Sequence, residues 1–152
     1  MDKLIINQGF DERQIAARGI AFRNAYLTVL FSEVIIMIVN GCLEVNNIRL
    51  FDALAIITMP LMLSLAVFTI TVIKYEAYKY YNQKNSAVPY LFAGYGVILS
   101  VKELFTLISQ NTVLSPDGCI HSSVTGLFSG LCLISIGIAY FIKHSKIIKT
   151  DE

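Results

Sequence analysis

Charge is scarce in this sequence. Only 15 % of its 152 residues are Asp, Glu, Lys or Arg, against roughly 25 % in an ordinary soluble domain, too few to cover a water-facing surface of this size. The net charge of +1 leaves no global field that would attract nucleic acid. Cysteine is rare too. Cys42, Cys119 and Cys132 form no C-x-x-C pair and, with only two histidines, no metal-ligand spacing, so structural zinc finds no ligand set. There is no glycine-rich nucleotide loop, and no serine or cysteine nucleophile beside a base. His121 reads as a loop residue. An enzyme is the least supported class, and no cofactor or metal is expected.

What the sequence has instead is long apolar runs. About 20 such residues are needed to cross a hydrocarbon core of ~30 Å. Four stretches meet that length, at about 25–43, 53–73, 88–108 and 124–142. Polar residues do not return in them every third or fourth position, as they would on a soluble helix. In lipid an open-ended segment must satisfy its own backbone, which selects the helix. The expected fold is therefore all-α, a single-domain integral membrane four-helix bundle. The 24 residues ahead of the first span, and Glu33 within it, are unlike a cleaved signal. Between spans, Lys74–Lys79 is expected to prolong the second helix by two turns, and Ser115-Pro116-Asp117-Gly118 reads as a turn.

Basic residues fix the orientation. Lys3, Arg13, Arg18, Arg23, Lys74, Lys79, Lys84, Lys143, Lys146 and Lys149 fall on one side of a four-span arrangement, and only Arg49 on the other. That side is cytoplasmic by the positive-inside rule, so both termini are expected inside. Tyr26, Tyr75, Tyr78, Tyr80, Tyr81, Tyr90 and Tyr140 gather at the same boundary, where amphipathic rings are favoured.

Three charges lie within spans: Glu33 in the first, Lys102 and Glu103 in the third. Intramembrane charges are costly and so point to a role. Glu33 shares a stripe with Tyr26 and Asn40 at seven-residue steps, and Lys102 one with Tyr95 and Ser109. If the first and third spans face each other, Glu33 pairs with Lys102. Otherwise Lys102 snorkels outward, with Glu103 at the outer boundary. Ser122, Gly126 and Gly130 repeat at four residues, as do Gly96 and Ser100. Such small residues let helix backbones approach closely, within one chain or between two copies. Pro60 is expected to kink the second span. Cys42 and Cys119 share the outer end and could bridge in an oxidising compartment.

Asp11 with Gln14 reads as a capping box that opens a helix over Glu12–Asn24, expected to join the first span. Its arginines, Arg13, Arg18 and Arg23, step by five and fan around the axis, which suits a short interfacial helix touching lipid phosphates. Phe10-Asp11-Glu12-Arg13-Gln14, Ala17-Arg18-Gly19 and Ala21-Phe22-Arg23 together resemble the opening of a group of small uncharacterised bacterial membrane proteins. In that group an Asp-Glu-Arg-Gln motif precedes a basic segment and several spans, and Ile20 stands where it has a lysine. The resemblance implies a bacterial inner-membrane location.

The expected function is that of a non-enzymatic accessory or regulatory subunit. Its partners would be the lipid bilayer, a membrane protein or a second copy of itself. The alternative is a small proton- or ion-coupled transporter or channel using Glu33 as its carboxylate. Four spans with an acid in the first suit small multidrug transporters, but the one-sided basic bias and the absence of tryptophan do not.

Overall fold

The structure, a computed structural model, describes residues 12–44, 50–77, 87–110, 119–120 and 122–148, without the side chains of residues 110 and 146–148. Four helices make it up: α1 Glu12–Glu44, α2 Ala53–Lys74, α3 Val88–Gln110 and α4 Ser122–Ile148. Each is long and apolar enough to cross a membrane. Asp11, the Ser115–Gly118 turn, Arg49 and His121 lie outside the described residues, as do Lys3, Lys79, Lys84, Lys149, Tyr78, Tyr80 and Tyr81.

α1 is one helix of 33 residues, about 50 Å long at 1.5 Å per residue. The arginine-bearing segment is therefore continuous with the first span. α2 begins at an N-cap, where Asp52 Oδ1 accepts the Ala55 N–H at 2.7 Å, and it remains helical through the buried Pro60.

The helices pack in the order α1–α2–α4–α3, and the described residues of α1 and α3 do not touch. The bundle is thus open on its fourth side. α2 and α4 form its centre, where Ala66 and Ile73 pack on Cys132, Leu133, Ile136 and Tyr140. Tyr140 is fully buried, edge-on to Tyr90 at 5.1 Å between ring centroids. It is part of the core because α2 and α3 both flank α4 there, three residues before Lys143. α1 and α3 each have a single neighbour and leave most of their apolar side chains exposed.

Candidate functional site: the polar groups of two edge helices

At one end of the bundle, α2 stops at Lys74 instead of running on to Lys79. Glu76 takes a left-handed conformation with φ 56°. The Ala77 N–H then bonds Val72 O at 2.9 Å and the Glu76 N–H bonds Ile73 O at 3.1 Å, the Schellman pattern that closes a helix. A glutamate there carries a steric cost that glycine would avoid. Two side chains of α1 hold the turn in place. Gln14 Nε2 donates to Glu76 O at 3.1 Å and Arg18 Nε to Ala77 O at 2.9 Å. Beneath them Ala17 and Ala21 pack on Val72 and Ala77. On the other flank Lys143 of α4 pairs with Glu76 at 3.0 Å.

Of the three arginines expected at lipid phosphates, Arg18 therefore spends its Nε on a backbone carbonyl. Arg23 is exposed, and Arg13 lines a cleft of about 190 Å³ with Lys74 and Lys143. The basic residues of three helices thus share one end of the bundle.

At the opposite end Asn40 grips the backbone of Phe51 twice, donating from Nδ2 to its carbonyl and accepting its N–H at Oδ1, both at 3.1 Å. The Ile120 N–H bonds Leu50 O at 2.7 Å and ties the two loops of that end together. Asn40 and Cys119 line a cleft of about 650 Å³ with Phe51 and Asp52. Cys42 and Cys119 both lie at this end as free thiols.

The small residues of α3 and α4 meet within the chain. A Cβ on Gly96 would lie 2.8 Å from Gly130 O and 2.9 Å from Leu133 Cβ, and one on Gly130 would strike Ser100. Gly137 faces Ala93 in the same seam. Ser100 Oγ is buried there without a hydrogen-bond partner. Ser122, at the start of α4, is exposed. Glu103 belongs to this seam, because a Cβ on Gly126 would fall 2.8 Å from Glu103 Cγ.

Lys102 lies on the outer side of α3 and turns back to Glu103, Nζ to Oε1 3.1 Å, with side-chain exposures of 71 % and 13 %. The pairing of Glu33 with Lys102 inside one chain does not occur, because α1 and α3 stand at opposite edges of the array. Glu33 is exposed on α1 and makes no hydrogen bond or ion pair with another described residue. The clefts described at the two ends are lined by other residues.

No match was found to this chain. That holds for family models, for curated proteins and for solved structures.

Sequence reasoning placed Asn40 on a polar stripe but did not see its partner, and it assigned Gln14 and Arg18 to other tasks. A glutamine and an arginine four residues apart on the face that also carries Ala17 and Ala21 were the available signal. Among the described residues no three His, Cys, Asp or Glu side chains converge as a metal site.

Proposed function

We propose that this chain is a non-enzymatic accessory or regulatory subunit of a bacterial cytoplasmic membrane, with both termini inside, that works by docking a membrane partner, another protein or a second copy of itself, on its edge helix α1. The exposure of Glu33 carries the reading. A charged side chain facing lipid inside a span costs at least ~2.5–3.5 kcal/mol. On a helix with one neighbour, that cost is relieved when a second protein supplies a donor or a cation. The apolar residues around Glu33, such as Leu30, Val34 and Met37, are exposed with it, and they suit the interior of a helix–helix contact in lipid. The orientation is supported by the shared basic end, where Arg13, Lys74 and Lys143 surround one cleft.

Affinity purification of the full chain from solubilised membranes tests this. Glu33→Leu is expected to lose a membrane partner that wild type and Glu33→Gln retain. If Glu33→Leu keeps every partner, the docking reading fails. Transport through Glu33 is tested by proton flux into vesicles reconstituted with wild type or Glu33→Gln. On the docking reading the two give the same flux.

A further inference from the structure

The two edges of the open array carry opposite charges, and they carry them at the same height. α2 and α4 run in the same direction, with Ile70, Ile73 and Lys74 beside Ala139, Ile142 and Lys143. Counting back equally from Lys74 and Lys143, Gly126 is level with Ile57. Glu103 packs on Gly126, which sets the height of Lys102, one residue away. On the other side α1 runs against α2, pinned by Arg18 at Ala77 and by Asn40 at Phe51. Interpolation between those two pins places Ile57 level with Val34 to Ile35. Glu33 and Lys102 are both displaced from these levels toward the basic end. Their heights therefore agree within about 3 Å, two residues of helix rise.

Both charges sit in outward-facing apolar stripes. On α3, Leu91, Tyr95, Ile98, Lys102 and Phe105 follow one another at steps of four and three residues and face away from α4, all of them exposed. On α1, Tyr26, Leu30, Glu33 and Met37 do the same, and all are exposed. These are the steps that keep one seam of a helix facing a partner helix. Aligning Glu33 with Lys102 also brings Tyr26 level with Tyr95 and Met37 within one residue of Phe105.

We infer that two copies of the chain associate edge to edge about a two-fold axis along the helices, α1 of each copy lying on α3 of the other, with Glu33 of each meeting Lys102 of the other. The inference rests on the reading of α1 as a docking edge and names the occupant. The contact is self-complementary: the same pair forms twice, both free edges are covered, and the assembly closes at two. α1 and α3 run in the same direction within a chain, so each intermolecular pair is parallel, as an axis along the helices requires. The Lys102 ammonium has three N–H donors, so its bond to Glu103 leaves two for Glu33. The small-residue seam of α3 and α4 is already filled within the chain, so it does not serve as the dimer surface.

Charge reversal tests this with full-length protein in lipid nanodiscs or bilayers, read by single-molecule photobleaching of two differently labelled populations. Wild type is expected to be dimeric. Glu33→Lys alone creates two lysine–lysine contacts per dimer, and Lys102→Glu alone two glutamate–glutamate contacts. Each variant alone is expected to lose at least tenfold in dimer affinity. Mixed together they form a heterodimer in which both contacts are Lys–Glu, so dimerisation returns to within a few-fold of wild type. That recovery also shows that both variants are folded.

Cross-linking gives an independent readout in a background with Cys42, Cys119 and Cys132 replaced by serine. Tagged Tyr26→Cys copies are expected to cross-link to differently tagged Tyr95→Cys copies, and not to one another. Failure of the mixed variants to dimerise, or cross-links only between like positions, overturns the inference. A wild-type chain that is monomeric yet still retains a different membrane protein through Glu33 also overturns it, while leaving the docking reading intact.

Discussion

Replacing Gly96 with alanine should loosen the α3–α4 seam, whereas the same change at Gly94, two residues away, should not. A Cβ on Gly96 would stand 2.8 Å from Gly130 O, 2.9 Å from Leu133 Cβ and 3.0 Å from Ile134 N. Two of these three atoms are backbone, so a rotamer change cannot relieve the clash. Ordinary carbon contacts lie at about 3.5–4.0 Å, so the helices must move apart locally by up to about 1 Å. Such overpacking costs typically 1–3 kcal/mol. At Gly94 nothing lies within 4 Å of the added Cβ. Both substitutions gain the same intrinsic preference of alanine over glycine in a helix, about 0.5–1 kcal/mol. The difference between the two variants cancels that gain and isolates the clash. Unfolding free energies in mixed detergent, measured side by side, should differ by about 1–3 kcal/mol with Gly96→Ala the less stable. Equal stabilities would mean that the close approach of α3 and α4 at Gly130 is not what holds them together.

Other consequences follow from the two ends of the bundle. Arg18→Leu removes the donor to Ala77 O at a half-exposed position. It should cost about 1 kcal/mol and raise hydrogen exchange at residues 75–77. Glu76→Gly relieves a left-handed backbone at a cost of about 1–2 kcal/mol for an L-residue. It gives up an ion pair with Lys143 whose side chains are 34 % and 45 % exposed, worth little at a surface. The net result should be a chain more stable by a few tenths to about 1 kcal/mol in thermal unfolding. Asn40→Leu breaks both bonds to Phe51 and should destabilise by about 1–3 kcal/mol. Asn40→Asp keeps only the acceptor and should fall between Leu and wild type.

Different physics decided which features the sequence revealed. Span number and helical state follow from apolar length alone, because lipid offers no alternative backbone partner. The Gly96, Ser100, Gly126 and Gly130 spacing was legible for a similar reason, since small residues repeating at four mark a face that admits another backbone. Which helix lies beside which was not legible. A stripe on a helix shows that one face differs but not what stands opposite it, so the Glu33 and Lys102 stripes suggested neighbours where the chain has two opposite edges. The end of α2 was hidden because its left-handed position carries glutamate, where glycine would have announced the stop. The turn is held by Gln14 and Arg18, more than fifty residues earlier in the chain, and no local pattern encodes that.

Those two distant clamps also explain why the edge charges end up at one height. Between Arg18 and Asn40, α1 rises through 22 residues, about 33 Å, close to the ~30 Å of a hydrocarbon core. That separation suits two clamps at the two boundaries of a membrane. There a polar side chain reaching a loop carbonyl needs no further partner, because water is within reach. Each clamp is weak by itself, but together they leave α1 no freedom to slide along α2, since a shift of one turn would leave the Ala77 and Phe51 backbone groups without their hydrogen-bond partners. The height of Glu33 is therefore set from both ends, while that of Lys102 is set by Glu103 against Gly126 and by the shared core of α2 and α4. A charge facing lipid at an arbitrary depth would be a liability that sliding could relieve by carrying it toward a boundary. This fold forbids the slide at both edges, which is the arrangement expected if the two charges answer to each other across an interface.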